Sequence, residues 1–135
     1  YGDMAGGYAP LGDLYKMEVY ALAKQFNKRM GIEAVTESTL TKPPSAELAP
    51  DQKDEDSLPP YPILDEILRL HIEEGLDATE ITAKGFDSKT VKEVLIRLAK
   101  NEHKRWQMPP APRVSKRAFG QGWRQPLAAR HDWRQ

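Results

Sequence analysis

Basic side chains and one hydroxyl that could bind phosphate lie in three parts of the sequence. Lys and Arg offset the negative charge that gathers during phosphoryl or adenylyl transfer, and Mg²⁺ prefers carboxylates together with substrate phosphates. An acidic stretch in the middle of the chain could supply such a carboxylate. These residue types predict a phosphate or nucleotide site. Its candidate residues are Lys16, Lys42, Ser45, His103, Lys104 and Arg105.

The basic residues near Lys104 also fit a second class of function. The sequence EITAKGFDSKTVKEVLIRL predicts a short helix, a turn that contains glycine, and a longer helix. That order is typical of the helix-turn-helix module that binds DNA. The residues alone therefore leave two alternatives open, a nucleotide site and a helix-turn-helix nucleic-acid-binding module.

Residues 42–61, KPPSAELAPDQKDEDSLPPY, form a stretch that the packing of a core cannot explain. Its prolines remove backbone donors and restrict the residues before them, so that neither a helix nor a strand can run through it. Long structureless stretches of this kind are active-site lids or linkers. We expect an active-site loop, with an acidic linker as the alternative. The loop residues of interest are Lys42, Asp51, Lys53, Asp54 and Asp56.

Composition excludes several classes of site. The chain of 135 residues has no cysteine, which removes disulfides, thiolate chemistry and Cys-ligated zinc. Its three histidines are too scattered for a zinc site, so we predict no transition metal. No apolar run approaches the roughly 20 residues of a membrane span, and the N-terminus lacks a signal-peptide pattern. We therefore expect a cytoplasmic protein with no membrane partner.

Charge is balanced overall but unevenly distributed along the chain. The net charge is zero, yet residues 47–77 are mostly acidic and residues 100–134 mostly basic. The basic end should meet anions. Its tryptophans and arginines could stack on nucleic acid, but because the whole chain is neutral we do not expect a nucleic-acid partner. We expect contacts within the chain or in a dimer instead.

The first predicted helix follows Pro10 and ends near Met30 and Gly31, because apolar residues recur there at spacings of three and four. Lys16 lies near the start of this helix. The positive end of the helix dipole disfavours a cation there unless an anion is also present, so Lys16 indicates phosphate binding. The alternative is a solvated lysine on the polar face.

Further helices are predicted after the loop by their end signals. Prolines precede the apolar pattern that starts at Tyr61, and Gly75 is its expected C-terminal stop. Asp77 with Glu80 forms a capping box, and Asp87 is another N-cap. Residues 32–40 show no sustained period, which leaves a short helical turn or an extended entry into the loop. The predicted helices after the loop span residues 61–75, 77–83 and 87–105.

The order of these segments resembles the C-terminal part of the NAD⁺ synthetase family, most closely its glutamine-dependent bacterial form. The resemblance is carried by YGDMAGGYAPLGDLYK, by residues 42–61, by GFD followed by NEHKR, and by RVSKRAFG in the tail. It implies an α/β fold of the adenine nucleotide alpha hydrolase type, an N-type ATP pyrophosphatase domain, of which this segment would be a mostly helical portion. Residues 1–112 would be the C-terminal part of that domain, and residues 113–135 a basic tail.

The resemblance also implies a reaction and its participants. Nicotinic acid adenine dinucleotide would be amidated to NAD⁺ through an acyl adenylate, with ATP and Mg²⁺ and with ammonia or glutamine-derived ammonia as nitrogen donor. Lys16 and Ser45 match ATP-binding positions, Lys104 and His103 match positions that bind the dinucleotide, and Asp3 would be a substrate-side acceptor. The acidic loop would close over the bound nucleotide and exclude water. A homo-oligomer, built as a two-fold dimer, is also implied.

One family motif does not occur in these residues. The family's ATP-pyrophosphatase loop is a Ser-Gly-Gly sequence followed shortly by Asp-Ser, and no Ser-Gly-Gly sequence is present. Backbone amides of such a loop bind pyrophosphate. We therefore expect the chain to be the C-terminal portion of a larger enzyme, inactive by itself.

Overall fold

The computed structural model describes residues 5–42 and 58–128, and all regular secondary structure within these ranges is helical. The predicted mostly helical character is thus confirmed for the described residues. The chain divides into two compact units, one comprising Tyr1–Leu14 with Glu66–Gln135 and the other Tyr15–Asp65. The helices are α1 (Lys16–Met30), α2 (Glu37–Thr41), α3 (Tyr61–Ile72), α4 (Ala78–Ala83), α5 (Ser88–Lys100) and α6 (Glu102–Gln107).

Helix α1 ends where the sequence predicts and begins later than predicted. Gly31 has a φ of 68° and donates its N–H to the Asn27 carbonyl at 3.0 Å, the left-handed C-terminal cap for which glycine is suited. The predicted start directly after Pro10 is wrong. Residues 9–14 form tight turns instead, in which Gly12 and Leu14 each donate to the carbonyl three residues before.

In the unit Tyr15–Asp65, α1 is followed by a short connection and then by α2. Both polar atoms of the Asn27 side chain bond to the backbone of Val35, at 2.6 and 2.9 Å, and so hold the connection after α1 close to that helix. Thr36 then precedes α2, so that the short helical turn is the correct alternative for this region. No residue of α1 or α2 is buried.

The apolar core of the other unit is formed by α3, α4 and α5. Its seven buried side chains recur at helical spacing, and each contributes about 1.5–3 kcal/mol by leaving water. They therefore fix the three helices around one another. The buried apolar residues are Ile67, Leu70, Ile72, Ile81, Val91, Val94 and Leu95.

The predicted helix ends of this unit are confirmed by their hydrogen bonds. Glu80 N–H donates to the Asp77 carboxylate at 2.8 Å, and Asp77 N–H donates to the Glu80 carboxylate at 2.9 Å. Asp87 accepts the Thr90 N–H at 2.8 Å. Gly75 has a φ of 74° just beyond α3. These capping interactions join neighbours in sequence, which is why the sequence predicts them.

The single helix predicted for residues 87–105 is wrong, because it is divided at Asn101. Asn101 has φ −96° and ψ 11°, and its side-chain amide donates to the Arg97 carbonyl at 2.8 Å. The backbone N–H of Asn101 donates to the same carbonyl at 3.0 Å, so the last turn of α5 closes there, and α6 starts anew at Glu102. The buried residues of α6 are Glu102 and Arg105.

Candidate functional site

Helix α6 has two buried charged residues, with two exposed basic residues between them. Glu102 and Arg105, three positions apart, are buried, whereas His103 and Lys104 between them are exposed. The His103 ring contacts the Lys100 carbonyl through Nδ1 at 3.1 Å. Lys104 thus presents its ammonium group to solvent, where an anionic ligand can reach it.

Glu102 and Arg105 form a buried ion pair that also holds the tail. Arg105 Nε donates to Glu102 Oε2 at 2.9 Å, and Nη2 donates to the same oxygen. Arg105 Nη1 donates to the Phe119 carbonyl at 2.9 Å, and the guanidinium carbon lies 4.5 Å from the Trp123 ring centroid. The other Glu102 oxygen accepts the Gln125 N–H at 3.1 Å. The pair therefore connects α6 to residues 119–125.

Arg105 was predicted to belong to the phosphate site, and its burial corrects that prediction. Only 5% of its side chain is exposed, and its donors are used by Glu102 and Phe119. Burial lowers the pKa of the Arg105 guanidinium, and its hydrogen bond to the Glu102 carboxylate opposes the shift. Arginine keeps its proton in proteins even so. Arg105 is therefore a structural cation and is not available to a ligand.

Asp13 fixes the tail from its other side. Its carboxylate accepts the backbone N–H groups of Val114 and Ser115 at 2.7 Å and of Phe119 at 2.6 Å, together with the Ser115 hydroxyl at 3.0 Å. Burial alone would raise the pKa of Asp13, but the hydrogen bonds from Ser115, Phe119 and Val114 outweigh it and hold the pKa below its usual value. The ionised carboxylate is thus a fixed anchor for residues 114–119.

Lys16 is the first residue of α1, and its ammonium group lies beside two aromatic rings. Lys16 Nζ is 5.3 Å from the Tyr20 ring centroid and 5.6 Å from the Tyr61 ring centroid, within the range of cation–π attraction. The side chain is half-buried. A lysine placed between two aromatic rings offers both a charge and flat apolar surface to a ligand.

Carboxylates already occupy the N-terminal amides of α1. The Met17 N–H donates to Asp65 Oδ2 at 2.7 Å, and the Tyr15 N–H donates to Glu18 Oε2 at 2.9 Å. Burial raises the pKa of Asp65, and the hydrogen bonds from Met17 and Lys16 oppose the shift without cancelling it. Asp65 therefore already supplies the anion that the dipole of α1 favours at its N-terminus. The phosphate-binding role predicted for Lys16 thus depends on the Lys16 side chain and not on the N-terminal amides of the helix.

Some of the remaining predicted site residues lie within the described ranges, and the others lie outside them. Lys42 follows α2 as its C-terminal cap, with its N–H donating to the Ser38 carbonyl at 2.9 Å. Lys16 belongs to the unit Tyr15–Asp65 and Lys104 to the other unit, and their shared cleft stays a prediction. The predicted residues outside the described ranges are Asp3, Ser45, Asp51, Lys53, Asp54 and Asp56.

Three acidic residues with defined roles were not found by sequence reasoning. Asp13 and Asp65 each lie among apolar residues, in LGDLY and PILDEIL, where an acid at a core-facing position is the available signal. Glu102 precedes Arg105 at the spacing of a helical ion pair, which is also a surface pattern. None of these signals identifies the partner.

Two further properties concern the described part of the chain. Within residues 5–42 and 58–128, no group of three or more His, Asp or Glu side chains is arranged to hold a metal ion. The helices in these ranges are also too short or too polar to cross a membrane.

Comparison with known proteins identifies close relatives. The chain is 52% identical over 130 residues to the glutamine-dependent NAD(+) synthetase of Thermotoga maritima, covering 96% of this chain and 23% of that protein. It is 48% identical over 134 residues to the glutamine-dependent NAD(+) synthetase of Acinetobacter baylyi, covering 99% of this chain and 24% of that protein. The chain thus spans about a quarter of the length of these curated relatives.

A solved structure supports the same relationship at the level of the fold. The glutamine-dependent NAD+ synthetase of Acinetobacter baumannii, in complex with adenosine diphosphate, is 36% identical to this chain with a TM-score of 0.51. The match covers 85% of this chain and 19% of that one. The sequence pattern of the NAD synthase family matches residues 1–109. The match includes both Lys16 and Lys104, and the chain belongs to the NAD synthase family.

Proposed function

We propose that this chain is the C-terminal part of a longer enzyme that amidates nicotinic acid adenine dinucleotide to NAD⁺. The carboxylate of the dinucleotide attacks the α-phosphorus of ATP, forming an acyl adenylate and releasing pyrophosphate. Ammonia then attacks the acyl carbon, and AMP leaves as the carbon–nitrogen bond forms and a proton is released. The curated relatives are named as glutamine-dependent enzymes, so we propose that glutamine supplies the ammonia.

The arrangement of α6 is the observation that carries this proposal. His103 and Lys104 are exposed, and the buried pair of Glu102 and Arg105 fixes the helix on which they stand. The backbone that carries Lys104 is therefore already in place when a phosphate of the dinucleotide binds, so only the side chain loses conformational freedom. Because Arg105 is buried, the binding role is assigned to Lys104, with His103 beside it.

Lys16 is proposed to bind ATP. Its ammonium group, which lies beside the rings of Tyr20 and Tyr61, can offset the negative charge that develops while pyrophosphate departs. The related Acinetobacter baumannii structure was determined with adenosine diphosphate, which supports the use of an adenine nucleotide. Ser45 is proposed as a second ATP contact, and Asp3 as a contact to the dinucleotide.

Residues 42–61 are proposed to close over the bound nucleotide and keep water from the acyl adenylate, which would otherwise hydrolyse. Mg²⁺ would accompany ATP as its counterion and stabilise the charge on the phosphates when bound. Lys42, Asp51, Lys53, Asp54 and Asp56 are the loop residues in this proposal.

The complete domain is proposed to have the α/β fold of adenine nucleotide alpha hydrolases, with this chain as a helical portion, and the enzyme to be a homo-oligomer. Leu22, Phe26 and Met30 lie on one face of α1 with 45%, 47% and 53% of each residue exposed. Such an apolar face favours a covering partner. If a second copy covers it, Phe26→Glu in the full-length protein should lower the mass measured by light scattering; an unchanged mass would count against this face as the dimer contact.

Product analysis tests the proposed reaction. The full-length protein, given the acid dinucleotide, ATP, Mg²⁺ and glutamine, should form NAD⁺, AMP and pyrophosphate in equal amounts. Formation of ADP and phosphate would contradict the acyl-adenylate route, and binding of duplex DNA with a steep salt dependence and no NAD⁺ would favour the helix-turn-helix alternative. The order of α4, Gly85 and α5 fits that module, but family membership gives it no support.

A further inference from the structure

The tail borders an open-mouthed cavity of about 340 Å³ that the proposed reaction does not use. Residues 108–124 and Asp13 line it, all within one compact unit. Four of the lining side chains are cations and one is a carboxylate. The charged lining residues are Asp13, Arg113, Lys116, Arg117 and Arg124.

The positive charge of this cavity is not balanced by its one acid. Both oxygens of Asp13 are occupied by donors from Val114, Ser115 and Phe119. Lys116 forms an ion pair at 3.1 Å with Glu74, which does not line the cavity. The three arginines of the cavity have no ion pair with a carboxylate among the described residues, which leaves a cluster of positive charge.

The contacts that the arginines make within the described part of the chain leave some of their donors without a partner there. Arg113 donates to the Lys116 carbonyl at 2.6 Å, and Arg117 donates to the Ile72 carbonyl at 3.4 Å. The guanidinium carbon of Arg124 lies 4.3 Å from the Trp106 ring centroid. Nη1 of Arg124 is buried and has no hydrogen-bond partner among the described residues. An unsatisfied buried donor destabilises the fold unless a ligand or a water molecule accepts its hydrogen bond.

Tight turns built on glycine give the cavity its shape. Gly122 donates its N–H to the Ala118 carbonyl at 2.6 Å, and a Cβ at position 122 would lie 2.6 Å from the Ala118 nitrogen. A Cβ at Gly120 would lie 2.8 Å from Met108 Cε. Together with the Asp13 anchor, these contacts hold the arginine-bearing backbone in place before any ligand arrives.

We propose that this cavity binds a phosphate-class oxyanion, such as orthophosphate, pyrophosphate or the phosphates of a nucleotide. Guanidinium groups match the geometry of phosphate oxygens and form charge-assisted hydrogen bonds with them. A cavity of about 340 Å³ has room for a pyrophosphate. Binding at this site tightens the tail around the ligand and, through Arg105 and Phe119, stabilises α6. The proposal holds whichever reaction the full-length protein performs.

Isothermal titration calorimetry on the full-length protein tests this site, with pyrophosphate, orthophosphate and ADP as separate probes. The double variant Arg113→Gln, Arg117→Gln should weaken binding of at least one probe about tenfold or more, since one charge-assisted hydrogen bond contributes that much. The control Lys89→Gln, on the outer face of α5 with 83% of its side chain exposed, should bind like the wild type. Lys16→Gln can weaken the binding of ADP at the proposed ATP site, but it should leave unchanged the binding that the double variant Arg113→Gln, Arg117→Gln removes, which separates the tail site from the ATP site.

The three probes distinguish the sources of the oxyanion. Arginine-dependent binding of pyrophosphate or orthophosphate identifies a free phosphate ligand, and arginine-dependent binding of ADP alone identifies a nucleotide. Arg113→Lys, Arg117→Lys retains the charge and should recover part of the affinity, which a merely unfolded tail would not. If no probe binds, or if every probe binds the double glutamine variant and the wild type equally, the site does not exist.

Discussion

Glu102 and Arg105 pair with each other one turn apart in α6, with 3% and 5% of their side chains exposed. The two residues between them, His103 and Lys104, are exposed. A buried pair does little for stability compared with apolar residues, but loss of one partner leaves an isolated charge in the interior. The pair therefore works as a positioning device, which sets the face that α6 turns to solvent.

Removing Glu102 tests this role. Glu102→Ala leaves Arg105 buried without its carboxylate, which should cost about 3–5 kcal/mol locally. Hydrogen exchange in the full-length protein should therefore become roughly a hundredfold faster or more for peptides covering α6 and residues 119–125. Glu93→Ala is the matched control, because Glu93 pairs with Lys89 at 4.0 Å with 59% of its side chain exposed. Equal effects of the two variants would contradict the positioning role.

Asp13 should protect the tail in a way that depends on its charge. Asp13→Asn replaces one acceptor oxygen by a donor, so amides at Val114, Ser115 and Phe119 should exchange about tenfold faster or more at neutral pH. The pKa of Asp13 in the folded protein is below its usual value of 3.8. Its stabilisation is therefore complete above pH 3.8 and is lost as the pH falls through the lower folded pKa.

The acid dependence gives a second measurement on Asp13. The difference in exchange between wild type and Asp13→Asn should be constant from pH 7 to pH 5 and shrink below pH 3.8. A difference that stays constant down to pH 2, or one that is absent at pH 7, would show that the carboxylate does not anchor residues 114–119.

Asp65 should behave in the opposite sense. Burial raises its pKa above 3.8, so its ionisation costs the folded state stability as the pH rises from 3.8 through the folded pKa. Asp65→Asn keeps an oxygen for the Met17 N–H and removes that cost, so it should not destabilise α1 at pH 7. Asp65→Ala removes the acceptor and should cost about 1 kcal/mol, measured by exchange at the start of α1. Similar losses in both variants would contradict the assignment.

Gly122 should be intolerant of even one methyl group. A Cβ there would lie 2.6 and 2.9 Å from backbone atoms of Ala118, so Gly122→Ala must displace the turn and should cost about 1–3 kcal/mol. Gly7→Ala is the matched control, since nothing lies within 4 Å of a Cβ at that position. Thermal unfolding of the full-length protein, together with pyrophosphate titration, measures the effect. An unfolding temperature and a pyrophosphate affinity of Gly122→Ala equal to those of the wild type would contradict the tight turn at Gly122.

Local patterns predicted much of the helical structure. The caps at Asp77 and Asp87 and the stops at Gly31 and Gly75 involve residues a few positions apart, so the sequence contains both partners. The start of α1 and the turns before it could not be predicted in this way. Asp13 there binds backbone groups more than 100 positions later in the chain.

The sequence predicted which residue types form the candidate site, but not which of these side chains are exposed and which are buried. Lys104 and Arg105 are adjacent cations in a basic segment, so residue type predicts the same phosphate-binding role for both. In α6, which begins after the break at Asn101, Lys104 is exposed and Arg105 is buried. A helix break at a single asparagine, whose side-chain amide and backbone N–H both donate to the Arg97 carbonyl, leaves only a weak mark in hydrophobic periodicity.

Steady-state kinetics of the full-length protein test the division of roles between Lys16 and Lys104 most directly. With the acid dinucleotide, ATP and ammonia as substrates, Lys104→Ala should raise the KM for the dinucleotide about tenfold or more and leave the KM for ATP nearly unchanged. Lys16→Ala should do the reverse, and Lys89→Ala should alter neither. Wild-type values of both KM and kcat in the two site variants would contradict the proposed site.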